Sequence, residues 1–424
     1  MTHFGVLRTQ ALLWIGALLA ALTAFVLWSS HYLPGVDFPQ HTAQLAAWAH
    51  LSDPAFGFAD QFELNYRTPY LLCYLLARPW VSLVGAVHAL KLVLFCLALA
   101  NAGALWLLLR ACQQDEWVAL FGFPLCFGFS FYHGFIDQLL ATPLLTAALA
   151  LSLSYAKSPT SERAASLCAL LVALGMCHAL AFIVCAPVSL LVYIRESAEH
   201  TRRHPLQYWP FAAALLSAAL WLLGLANTTD AAAARPVTNW ALDPERVLEA
   251  PGMLLSANPA DLWASVFGAL SMLVVVCSLG LPTWSWHRLS LYAGTWLLFL
   301  LGPLNLWGAA NVYQRFTPWI LPGGILSSGT TAPLWGERTR RSAILLLSVG
   351  WLGILCVRAR EFDAESRDFD RASADLECAR VRPLISATDT QAFPQLPAYR
   401  HFPAYLQAER GGHYGFAFAR YQDS

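Results

Sequence analysis

The sequence predicts an all-α polytopic membrane protein of about 11 transmembrane helices, with a large first outer loop and a small C-terminal extracytoplasmic tail. Three observations carry this reading. Of 424 residues, 57% are hydrophobic and only 12% charged, where a soluble chain carries about 25% charged and about 45–50% apolar residues. Runs of about 20 apolar residues, the length that crosses about 30 Å of hydrocarbon, recur along the chain. The 26 basic and 26 acidic residues cancel, whereas a nucleic-acid binder carries a basic excess. An ordinary soluble enzyme, a disordered chain and a nucleic-acid partner are thereby excluded.

The first run, Thr9–Trp28, lacks the small-residue cleavage site of a removed signal peptide and reads as a retained span. Further runs lie near 86–109, 117–132, 138–156, 207–226, 261–281, 289–304, 317–330 and 342–357. The stretch Ala164–Ile194 is too long for one span and short for two. His178 lies at its middle, which predicts two short helices meeting there. Basic connections at Lys157/Arg163, Arg195/Arg202/Arg203 and Arg338/Arg340/Arg341 belong on the cytoplasmic side. That places the N-terminus inside, and the loops 30–70 and 226–261 and the tail outside. The chain divides into a membrane body over 1–357 and a polar tail over 358–424, which holds 19 of the 52 charged side chains. Nine of the ten cysteines fall in or beside apolar runs, so no disulfide framework is indicated.

The first outer loop is the most informative stretch. Pro39 suits the first turn of a helix, and Asp37 before it suits a cap. His41 lies four residues beyond Asp37, so both belong to one end of that helix. A second short helix is expected from Pro69 to about Val81. Asp60, Glu63, Tyr66 and Arg67 share the loop, and charges beside a membrane are retained where they bind ions or do chemistry. The plain alternatives are a helix cap for Asp37 and an interfacial, hydrogen-bonded imidazole for His41. Tyr132–Asp137 reads as a tight turn between spans, with Asp137 either lining the same cavity or capping the next helix.

The pattern Asp37-Phe-Pro39-Gln-His41-Thr-Ala43, just after a first span, resembles the membrane glycosyltransferases of the GT-C fold. The likeness is to bacterial members related to protein O-mannosyltransferases and aminoarabinose transferases. Asn311-Val-Tyr313-Gln-Arg315-Phe316 and the tail stretch from His401 through Tyr405 and Glu409 to Gly411-Gly412 echo it. The resemblance implies a GT-C-like fold and sugar transfer at the outer face of the bacterial cytoplasmic membrane. The donor would be a sugar on polyprenyl phosphate, and the acceptor a glycan, a lipid or a protein. Asp37 matches the family's general base, with His41 beside it as the second catalytic candidate. Arg315 and Arg67 are candidates for the donor phosphate, because a guanidinium makes two parallel hydrogen bonds to phosphate oxygens. Glu63, Tyr66, Asp137 and Tyr313 are expected to line the cavity. Some relatives need a divalent metal, but no D-x-D or H-x-x-x-H pattern assigns a ligand here. Two alternatives stay open at this point, a lipid or solute transporter and a non-catalytic assembly protein that kept the fold.

Overall fold

A computed structural model describes residues 3–64, 66, 70–198, 205–226, 238–240, 243–282, 285–306, 309–328, 332–373, 380–381, 385 and 387–414. The chain folds into helices α1 (His3–Trp28), α2 (Phe38–Ala49), α3 (Leu72–Ala111), α4 (Phe129–Tyr132), α5 (Ile136–Lys157), α6 (Ser161–Cys177) and α7 (Ala179–Ala198). There follow α8 (Trp209–Ala226), α9 (Arg246–Met253), α10 (Leu262–Leu279), α11 (Trp286–Leu301), α12 (Ile320–Ser327), α13 (Glu337–Ser373) and α14 (Ala404–Arg410). Helix α5 is the centre of the bundle, packed by α3, α6 and α7. Its apolar window is 72% enclosed, against 22% for α1, which packs mainly on α13 and α3 and leaves Leu13 and Trp14 exposed. A helix apolar all round with so little protein cover needs lipid for its remaining surface.

Among the described residues, six helices are long and apolar enough to cross a membrane, fewer than the eleven spans expected. Two of the expected spans are interrupted. Residues 117–132 form short 3-10 turns (Glu116–Gly122 and Pro124–Phe127) followed by α4. Residues 317–330 give a 3-10 turn (Tyr313–Trp319) and the eight-residue α12. The breaks fall at Gly122, Pro124 and Gly128 in the first and at Pro318 in the second, where proline removes a donor and glycine weakens a helix. Both segments are buried, and irregular backbone at membrane depth is tolerated only inside protein. The hairpin at His178 is as expected. The residue adopts an extended conformation (φ −156°) between α6 and α7.

The helices α6, α7, α11 and α13 carry the basic connections to one end of the bundle. There Arg288 pairs with Glu196 at 2.6 Å, Arg340 with Asp115 at 3.3 Å, and Lys157 donates to the Ala111 carbonyl at 3.2 Å. The opposite end holds the 30–70 loop. The expected helix after Asp37 is α2, and the expected helix near Pro69–Val81 is the first part of α3. The backbone of α3 kinks at Gly85, whose φ of +76° few other residues adopt.

The boundary expected at 357/358 falls inside α13, which continues to Ser373. At about 1.5 Å per residue its 37 residues far outreach the hydrocarbon layer. The tail beyond it folds back on the first loop. His31 Nε2 meets Glu409 at 2.8 Å, and the Leu33 amide donates to the Tyr405 hydroxyl at 3.2 Å. The Tyr32, Phe402 and Tyr405 rings pack together, and α14 lies on α2. Body and tail share one hydrophobic core.

Candidate active site

The loop that leaves α1 is seated on the turn before α5. The Val36 amide donates to the Tyr132 carbonyl at 2.8 Å. Gly134 has φ +76°, and a Cβ added there would come within 2.9 Å of the Asp37 Cβ. The turn is therefore a platform shaped to the Asp37 backbone. Asp37 itself does not cap α2. Its backbone is helical (φ −101°, ψ −5°) and its side chain makes no capping bond, whereas a cap residue takes an extended conformation to aim its oxygen at the next amides. Pro39 contributes no amide to be satisfied. The carboxylate is thus left for other work. Burial pushes its pKa up to about 6, while the Arg400 and Arg315 guanidiniums pull it down.

His41 is engaged on both sides. Its Nδ1 meets the Tyr74 hydroxyl, which also bonds Gln44, and the ring makes a hydrogen bond to the Gly134 backbone. Burial holds it neutral, with its pKa lowered to about 4. As placed, this side chain ties α2 to α3 and to the Gly134 turn on which Asp37 is seated. Arg315 lies in the 3-10 turn before α12. Its guanidinium stacks on Phe135 at 4.0 Å and Nη2 donates to the Ala310 carbonyl at 3.0 Å. Gln138 Nε2 fixes the Arg315 carbonyl at 3.0 Å, and the buried Nε has no hydrogen-bond partner among the described residues. Burial lowers the pKa of Arg315, while Tyr70 and Asp37 sustain its charge.

Asp137 is buried in the first turn of α5 without capping it, since Phe135 holds the cap position. One of its carboxylate oxygens has no hydrogen-bond partner among the described residues. Tyr313 departs from the expected lining role. Its hydroxyl donates to Glu249 at 3.0 Å and its ring lies under Arg246 at 3.8 Å, in a separate apolar cluster with Phe299. Glu63 and Tyr66 are exposed, Tyr66 resting edge-on against Trp48. Arg67 lies outside the described residues. No group of three His, Cys, Asp or Glu side chains among the described residues is placed to hold a metal ion.

No protein-family model and no curated protein matches the chain. Among solved structures, the arabinofuranosyltransferase AftD from Mycobacteria, seen by single-particle cryo-EM, aligns at TM-score 0.50 and 14% identity. The alignment covers 94% of this chain and 31% of that one, so this chain spans less than a third of that protein's length. The fold is GT-C-like. The protein is a multi-pass membrane protein of that architecture, with Asp37 at the loop-bearing end.

Around Asp37 and Arg315 the fold gathers four side chains that sequence reading did not assign to the site. His401 of the tail has Nε2 at 3.9 Å from Asp37 Oδ1. Arg400 precedes it. His133 stacks on Phe129 at 3.9 Å with its pKa lowered by burial to about 4. Tyr70, edge-on to His178 at 5.8 Å, feels the charges of both Arg315 and Asp137. The His401 stretch was visible as a motif. Nothing in the sequence tied it to Asp37, 364 positions away.

Gly134→Ala tests the platform. Forcing alanine into left-handed backbone costs about 1–2 kcal/mol, and the new methyl displaces Asp37. Thermal unfolding should shift down and turnover should fall together. Undiminished turnover would show that Asp37 does not need this seat.

Proposed function

We propose that this protein is a membrane glycosyltransferase. It moves a sugar from polyprenyl phosphate to an acceptor hydroxyl at the outer face of the bacterial cytoplasmic membrane. The observation that carries the reading is Asp37: an uncapped, partly desolvated carboxylate with guanidinium groups beside it at the end of a GT-C-like bundle. The basic end of the bundle faces the cytoplasm by the positive-inside rule, so Asp37 opens to the outer side. In the reaction the acceptor oxygen attacks the anomeric carbon and Asp37 takes its proton. The bond from that carbon to the phosphate oxygen breaks, and the electron pair leaves with the phosphate. Arg315 offsets the charge that develops there.

The direct test supplies the purified protein in liposomes with a panel of polyprenyl-phosphate sugars, arabinofuranose included, and follows release of polyprenyl phosphate. Release dependent on the protein supports the reading. No release from any donor, with no polyprenyl phosphate found by mass spectrometry in the purified protein, would overturn it.

A pH dependence follows. A base must be ionised, so kcat/KM should fall about tenfold per unit below pH 6 and level off above it. A profile flat from pH 5 to 8 would remove Asp37 as the titrating base.

A further inference from the structure

Two guanidiniums act on the single carboxylate of Asp37. His133 and His401 are half-buried, and desolvation holds both neutral near pH 7, with pKa values lowered to about 4. Asp37 contributes one negative charge, and two guanidiniums, Arg315 and Arg400, act on it, Arg400 the more strongly. Four other tail arginines are engaged elsewhere. Arg358 is paired bidentately with Asp261, Arg367 with Asp363 and Arg371 with Asp368, and Arg360 lies over Phe25. The Arg400 side chain is exposed and makes no hydrogen bond or ion pair among the described residues. Its backbone is nevertheless well fixed. The Arg400 amide donates to Pro397, and the Tyr399 hydroxyl donates to Glu365 of α13 at 3.1 Å. The neighbouring His401 stands 3.9 Å from Asp37.

We propose that the tail completes the donor site, with Arg400 acting as a second guanidinium for the donor phosphate beside Arg315. This rests on the glycosyltransferase reading above and adds a residue from outside the membrane body. The donor's phosphodiester carries one negative charge and the departing monoester up to two. A second guanidinium beside the phosphate therefore favours the departing state over the bound donor, which is the difference that accelerates a reaction. Because Arg400 is exposed, its contribution is screened by salt.

The test uses full-length protein in nanodiscs and polyprenyl monophosphate without sugar as the probe, with affinity read by titration. Arg400→Ala should bind about tenfold more weakly than wild type at low salt. Arg400→Lys should restore most of that loss, and added salt should narrow the gap between wild type and Arg400→Ala. Equal affinity of wild type and Arg400→Ala would remove the tail from the site while leaving the glycosyltransferase reading intact. A lysine variant as weak as the alanine variant would show that the positive charge is not what binds, and would also overturn the proposal. Failure of wild type itself to bind the probe would overturn the donor assignment and the tail's role together.

Discussion

Asp37→Asn is expected to lower transfer by about 10²–10⁴-fold, the usual contribution of a positioned general base. Donor affinity should be unchanged or higher, because the substitution removes a negative charge from beside the donor phosphate. The change is isosteric and breaks no helix cap, since the Asp37 side chain makes no capping bond. Stability should rise above pH 6. The folded carboxyl has its pKa raised from 3.8 to about 6 by burial, so the folded state holds this proton more tightly than the unfolded chain. The corresponding stabilisation is complete below pH 4 and is lost as pH rises through 6. Above that pH the wild type keeps a buried negative charge that the asparagine variant lacks. Thermal unfolding between pH 4 and 8 should therefore separate the two proteins only in the upper half of the range. An active Asp37→Asn variant, or one that loses activity by unfolding, would defeat the general-base role.

Periodicity and composition made the membrane class legible, along with the helix at Phe38–Ala49 and the hairpin at His178. They did not reveal which apolar runs are continuous helices. Residues 117–132 and 317–330 are apolar enough to span, but glycine and proline shorten them into 3-10 turns and short helices whose irregular backbone the surrounding bundle shields from lipid. Hydropathy counts side chains and cannot see that protection. At the site, Asp37, Arg315 and Asp137 were readable as rare charges in a charge-poor chain. Their environment was not. Asp37 looked like a cap from its place before Pro39, and only the backbone angles show that its carboxylate is turned elsewhere. Tyr313 sits two residues from Arg315 in sequence, but the 3-10 turn sends it to Glu249 and Arg246. Arg400 and His401 reach Asp37 only because the tail folds back over the loop. A linear reading has no term for contacts made across 364 positions.

Arg315→Ala should weaken donor binding by at least about tenfold while leaving acceptor affinity within about twofold. A lost hydrogen bond to a charged partner accounts for a change of that size. Arg315→Lys should recover only part of the loss, because an ammonium supplies charge without the planar fork and cannot stack on Phe135 in the same way. The substitution also leaves the Ala310 carbonyl without its donor, so thermal unfolding must be measured alongside binding. Combining Arg315→Ala with Asp37→Asn separates the two roles. If Arg315 holds the donor phosphate, its loss weakens binding of polyprenyl monophosphate even where the base is already absent. If instead it acts only by tuning Asp37, the double variant binds as Asp37→Asn does. Arg315 reaches Asp37 electrostatically while its guanidinium is held by Phe135 and Ala310, not by the carboxylate itself. That arrangement favours the first outcome: a cation fixed by its own supports, near the base but not spent on it, is free to meet an incoming anion.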